Sequence, residues 1–222
     1  MTRFKICCIK NQFEADLAIR YGASALGLVS QMPSGPGVID LKEIRAIASN
    51  IPPGVGSFLL TSSTNPEKII SQHHYCRTSV IQLVARLEKK NYQKLKVNLP
   101  GIRLVQVIHV ENENALDEAM KLQDTVDALL LDSGKPNAKT PELGGTGRTH
   151  NWDISRKIVA GCRVPVYLAG GLTPKNAADA IASVQPFGLD VCSGVRSEGT
   201  LDEIKLAAFT ETLDKGNSAK FD

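Results

Sequence analysis

Two features of the sequence are of types that do chemistry. One is a pair of adjacent thiols, Cys7 and Cys8, near the end of the apolar run "FKICCIK" (4–10). Neighbouring cysteines seldom bridge to each other without strain. If the run is a β-strand, alternation sends Cys7 to one face and Cys8 to the other, so the two thiols have different jobs. The other feature is a pair of glycine turns. "AGGLTP" (169–174) exposes two glycines before a capped helix, and "SGV" (193–195) supplies another after an apolar run. Backbone N–H groups at such turns and at helix N-termini attract phosphate. A single turn of this kind needs no ligand, but two after consecutive strands point to a phosphate held by the backbone around Gly170, Gly171, Ser193, Gly194 and Val195.

These residues need elements to hold them. Eight short apolar runs recur: "FKICCI", "ALGLVS", "GVGSFLL", "SVIQLV", "RLVQVIHV", "ALLLDS", "VPVYLAGG" and "LDVCSG". Most are continuously apolar, as parallel strands covered on both faces are. Helical stretches lie between most of them. Asp40 with Glu43, and Thr200 with Glu203, read as capping boxes. Asn65-Pro66 and Thr173-Pro174 each put a capping side chain before a proline suited to the first helical turn. Gly22 is placed to end the first helix. Eight β/α units over residues 1–222 predict an α/β fold, a single (β/α)8 TIM barrel, with a tail from about residue 215 expected to be mobile. An open doubly wound sheet is the alternative, and both bind ligands at the C-terminal ends of the strands. Cys7, Asp132 and both glycine turns fall there. So does the long connection "SGKPNAKTPELGGTGRTHNW" (133–152), whose "GGTGRT" lacks the spacing of either glycine-rich nucleotide motif.

Composition narrows the function. The chain has 222 residues, 42% of them apolar, and a formal charge of +3 with scattered cations. Nothing there demands nucleic acid or an anionic membrane surface. No apolar run has the roughly 18 residues of a membrane span. The chain passes from Met1 straight into a strand-like segment, so no signal peptide is expected. Five irregularly spaced cysteines indicate reduced thiols and a cytoplasmic protein. His73, His74 and Cys76 cluster without completing a metal-ligand set, and are read as polar residues on the exposed side of a helix and its exit. No metal is expected.

Taken in order along the chain, "KIC", "LLLD" followed by "GGTG" and a tryptophan, "LAGGLTP.N" and "DVCSGV" resemble phosphoribosylanthranilate isomerases, from Lys5 to about Phe209. The resemblance implies a cofactor-free barrel enzyme of tryptophan biosynthesis. It would convert N-(5'-phosphoribosyl)anthranilate into 1-(2-carboxyphenylamino)-1-deoxyribulose 5-phosphate by an Amadori rearrangement. It also implies Asp132 as general acid and Cys7 as general base. The alternatives are a phosphosugar isomerase with another substrate and a non-catalytic phosphosugar-binding paralogue. A monomer and a homodimer both suit such a barrel.

Several readings hang on that resemblance. Lys5, on the same strand face as Cys7, could supply the cation that favours a thiolate. Cys8, where the family usually has glycine, is expected to point outward as an apolar filler. Asp190 is read as a buried structural partner and His109 as packed or solvated. The family's Ser-Pro-Arg-like stretch after strand 2 carries an arginine that meets the substrate carboxylate; "MPSGPGV" (32–38) has no cation, and "QLHG" becomes "QLVA". Arg196, in place of a family acidic residue, is the expected replacement, with Arg86 and Arg148 as rivals.

Overall fold

The computed structural model describes residues 2–134 and 150–218, with side chains up to residue 213. Its eight main strands are β1 (Arg3–Ile6), β2 (Ala25–Val29), β3 (Gly56–Thr61), β4 (Val80–Leu83), β5 (Arg103–His109), β6 (Ala128–Asp132), β7 (Val166–Leu168) and β8 (Gly188–Val191). They pair in parallel in chain order, and β1 closes on β8 with Lys5 opposite Asp190. This is the predicted (β/α)8 barrel.

Closure explains why the strands read as unbroken apolar runs. Ile6, Leu26, Leu28, Leu59, Ile81 and Leu131 face outward and are buried under helices such as α1 (Gln12–Arg20) and α2 (Leu41–Asn50). Val29, Phe58, Leu60, Val107, Leu130 and Tyr167 alternate with them and fill the barrel interior. Both faces are dry, so period-2 polarity has no reason to appear.

The caps were partly legible. Asp40 accepts from the Glu43 amide at 2.7 Å, and Asn65 accepts from Glu67 and Lys68 at the start of α3 (Pro66–Cys76). Gly22 (φ +85°) follows α1 as expected. Two starts differ. Helix α7 spans Ala177–Val184, three residues beyond Pro174, after a turn whose Thr173 carbonyl accepts from Ala177. Helix α8 (Glu203–Ser218) is capped by Asp202, which accepts from Ile204 and Lys205 at 3.0 Å. Thr200 instead pairs with Ser197 in a two-residue antiparallel ladder. The tail expected from about residue 215 overlaps the end of α8, and residues 219–222 lie outside the described chain. Among the described residues no helix is long and apolar enough to cross a membrane.

The histidine cluster also differs from expectation. His73 and Cys76 are buried rather than exposed, with His73 Nε2 2.7 Å from the Thr78 carbonyl oxygen.

Candidate active site

Strand β1 ends at Ile6, but the Cys7 amide still donates to the Val191 carbonyl at 2.8 Å, so Cys7 keeps the inward direction of Lys5. Gly27 on β2 makes room for it: a Cβ there would lie 3.1 Å from the Cys7 sulfur and 3.2 Å from the Lys5 side chain. Lys5 itself is fully buried and bonded to Asp190 at 2.7 Å. Burial opposes its charge, but Asp190 outweighs burial and holds the ammonium above its ordinary pKa. The pair puts a fixed cation close to Cys7.

Cys8 overturns its expectation. The residue adopts a left-handed conformation (φ +64°), strand alternation stops, and the thiol turns into the cleft instead of outward. Its sulfur is 3.7 Å from that of Cys7 and 3.4 Å from the Pro36 carbonyl oxygen. Hydrogen bonding with Cys192 and Cys7 pushes the Cys8 thiol up, while Cys192, bonded to Cys8 and close to Arg196, is pulled below its ordinary value. Three thiols therefore line the mouth.

Asp132 ends β6 and faces the same cleft, 8% exposed. Burial raises its pKa to about 6, against the Ser133 amide that donates to it at 2.7 Å. A carboxyl in that state can deliver a proton near neutrality, across the cleft from a thiol beside a cation.

The glycine turns close the β7–β8 side. Gly170 and Gly171 both have positive φ, at +84° and +64°. A Cβ on Gly194 would lie 1.9 Å from the Leu172 carbonyl oxygen, so only glycine lets the two turns meet. Gly170, Gly171 and Ser193 line the cleft; Gly194 and Val195 do not, and the Val195 amide is directed at the Cys192 carbonyl at 3.4 Å.

Arg196 requires a correction. It is 7% exposed and forks onto Glu14 at 2.9–3.1 Å, while also donating to the carbonyls of Cys7 (3.1 Å) and Cys8 (2.7 Å). Glu14 outweighs the effect of burial on Arg196 and raises its pKa; Glu14 is lowered in turn, although burial alone would raise it. Its two terminal nitrogens hold the thiol-bearing turn to α1, only Nε lacks a partner among the described residues, and the side chain does not line the cleft. Arg86 pairs with Glu118 at 3.5 Å on the surface, and Arg148 lies outside the described residues. His109, opposite Asp132 in the ladder, is held down by burial, against a backbone contact with Val84.

One residue of the cleft was not anticipated. Gln82 on β4 lines it, 3% exposed, and its Oε1 has no hydrogen-bond partner among the described residues. A polar side chain in the middle of "SVIQLV" was the available signal.

Comparison with known proteins agrees with this geometry. The family model described as "N-(5'phosphoribosyl)anthranilate (PRA) isomerase" matches residues 4–212. An N-(5'-phosphoribosyl)anthranilate isomerase of Methanocella arvoryzae is 34% identical over 206 residues, covering 93% of this chain and 94% of that one. The crystal structure of a Thermotoga maritima phosphoribosyl anthranilate isomerase superposes with a TM-score of 0.83 at 30% identity, over 97% of this chain and all of that one. Another, solved in complex with reduced 1-(o-carboxyphenylamino)-1-deoxyribulose 5-phosphate, gives 0.81 at 27% identity with the same coverage.

Proposed function

For a chain that belongs to the N-(5'-phosphoribosyl)anthranilate isomerase family, we propose that Cys7 and Asp132 are the general base and general acid of the Amadori rearrangement. Asp132 gives its proton to the furanose ring oxygen, and the C1–O bond breaks to leave an open-chain iminium. Cys7 then removes the proton on C2, and the electrons of that C–H bond neutralise the iminium nitrogen. The resulting enolamine tautomerises to the 2-ketone of 1-(2-carboxyphenylamino)-1-deoxyribulose 5-phosphate. The observation that carries this assignment is a carboxyl with its pKa raised to about 6 in one cleft with a thiol beside a buried cation.

The phosphate is assigned to the amides of Gly170, Gly171 and Ser193, at the β7–β8 side of the cleft. Gly194 also lets the two turns approach there. A ligand-bound structure with phosphate elsewhere would overturn this.

Loss of substrate fluorescence on mixing tests the roles. Cys7→Ala and Asp132→Asn should each lower kcat by about 100- to 10,000-fold. Near-wild-type turnover by either variant removes that residue from its role.

Cytoplasmic placement is supported by five free cysteines, none in a disulfide. A homodimer has one support, a similar Thermotoga maritima enzyme described as dimeric. Sedimentation showing only monomer would refute it.

A further inference from the structure

Two other buried glutamines on the barrel are bonded. Gln106 on β5, fully buried, accepts from Tyr92 Oη at 2.6 Å and donates to the Leu83 carbonyl at 3.0 Å. Gln72 accepts from Thr61 at 3.0 Å. Gln82 is as deeply buried, yet its Oε1 meets no partner among the described residues, and the side chain faces the cleft of Cys7 and Asp132. A buried amide left unpaired is costly, and such a group inside a binding cleft is poised for a ligand.

Topology says which part of a ligand it meets. The phosphate turns follow β7 and β8, the thiol sits on β1 and the carboxyl on β6. In the closed order β4 lies across the barrel from β8, so a substrate anchored at the turns extends its non-phosphate end towards Gln82. The wall there is apolar, formed by Val29, Leu60, Val84 and Val107, and suits an aromatic ring. The buried cations nearby, Lys5 and Arg196, each pair with a carboxylate, Asp190 and Glu14, and neither lines the cleft.

We propose that Gln82 is a specificity-determining residue of the cleft, pairing its amide with the N–H and the ortho-carboxylate of the substrate's arylamine end. A primary amide carries an acceptor and a donor side by side in one plane. The arylamine N–H and the neighbouring carboxylate oxygen present the complementary donor and acceptor. The pair orients the ring without a cation. This inference rests on the isomerase reading above.

The test compares kcat/KM of wild type and Gln82→Leu on two substrates, N-(5'-phosphoribosyl)anthranilate and the carboxylate-free N-(5'-phosphoribosyl)aniline. Leucine keeps the volume and removes the amide. The expected result is a loss of about tenfold or more on the anthranilate substrate and a clearly smaller loss on the aniline one, the size of one charge-assisted hydrogen bond. Equal losses on both substrates, or none on either, would overturn the proposal. A structural role alone would not separate the two substrates. If the leucine variant does not fold, Gln82→Asn, which keeps the amide but shortens its reach, is read by the same comparison. Wild-type enzyme that turns over neither substrate would instead refute the isomerase reading, and this inference with it.

Discussion

Cys8 and Gly37 compete for the same space: a Cβ on Gly37 would lie 2.4 Å from the Cys8 Cβ and 2.8 Å from its Cα. Both residues sit in the left-handed region, at φ +64° and +78°. Both the side chain and the backbone of Cys8 thus keep position 37 bare, and the turn after β2 packs directly on the turn after β1.

The first prediction is a double-mutant cycle on that pair. Gly37→Ala combines a collision with a left-handed alanine, and should destabilise by about 3 kcal/mol. In a Cys8→Gly background the contacts with the Cys8 side chain disappear while the 2.8 Å approach to the backbone remains, and the cost should fall by about 1–2 kcal/mol. Chemical denaturation measures both. Additivity within about 0.5 kcal/mol would show that the two positions do not interact.

Lys5→Met removes a buried cation from Asp190 and leaves an uncompensated buried carboxylate. The expected loss is about 3–5 kcal/mol. Adding Asp190→Leu should recover part of it, since an apolar pair replaces the ion pair. A single variant as stable as wild type would mean the pair holds nothing together.

Asp132 links stability to pH. Its folded pKa of about 6 stands above the ordinary 3.8. Folding thus favours the protonated form, and this contribution is full below about pH 4 and lost as pH rises through 6. The gap corresponds to roughly 3 kcal/mol, at about 1.4 kcal/mol for each pH unit. Asp132→Asn does not titrate, so its stability relative to wild type should climb between pH 4 and pH 8. A constant difference across that range would place the carboxyl in a solvated environment. In the wild type, kcat/KM should also decline above about pH 6 as the acid loses its proton.

Arg196→Ala should act through structure. It strips donors from Glu14 and from the carbonyls of Cys7 and Cys8, so stability should drop by about 3–5 kcal/mol. Turnover should fall by a similar factor on substrates with and without the carboxylate. A loss confined to the carboxylate substrate, with an unchanged melting temperature, would restore this arginine as a substrate contact.

Much of this site could be read from the chain alone. The eight strands were visible because each is dry on both faces, and the glycine turns because a backbone approaching another backbone admits no other residue. Cys8 was misread because alternation holds only while the strand does, and nothing marks Ile6 as its last member. Arg196 was misread because its partner Glu14 lies 182 positions away, a separation that local pattern cannot span. Gln82 stood in plain sight, a polar residue in a buried strand. What was hidden was that its neighbour Gln106 finds partners while the Gln82 Oε1 meets none among the described residues.

Lys5 meets Asp190 across 185 residues of chain, at the seam where the first strand joins the last. During synthesis the lysine emerges early and waits with no counter-charge until β8 appears. Until then, the strand bearing Cys7 lacks one of its two neighbours, and the barrel cannot seal. The thiol therefore gains its cation and its fixed position only when the chain is nearly complete. In this barrel, assembly of the catalytic centre and completion of the fold are one event.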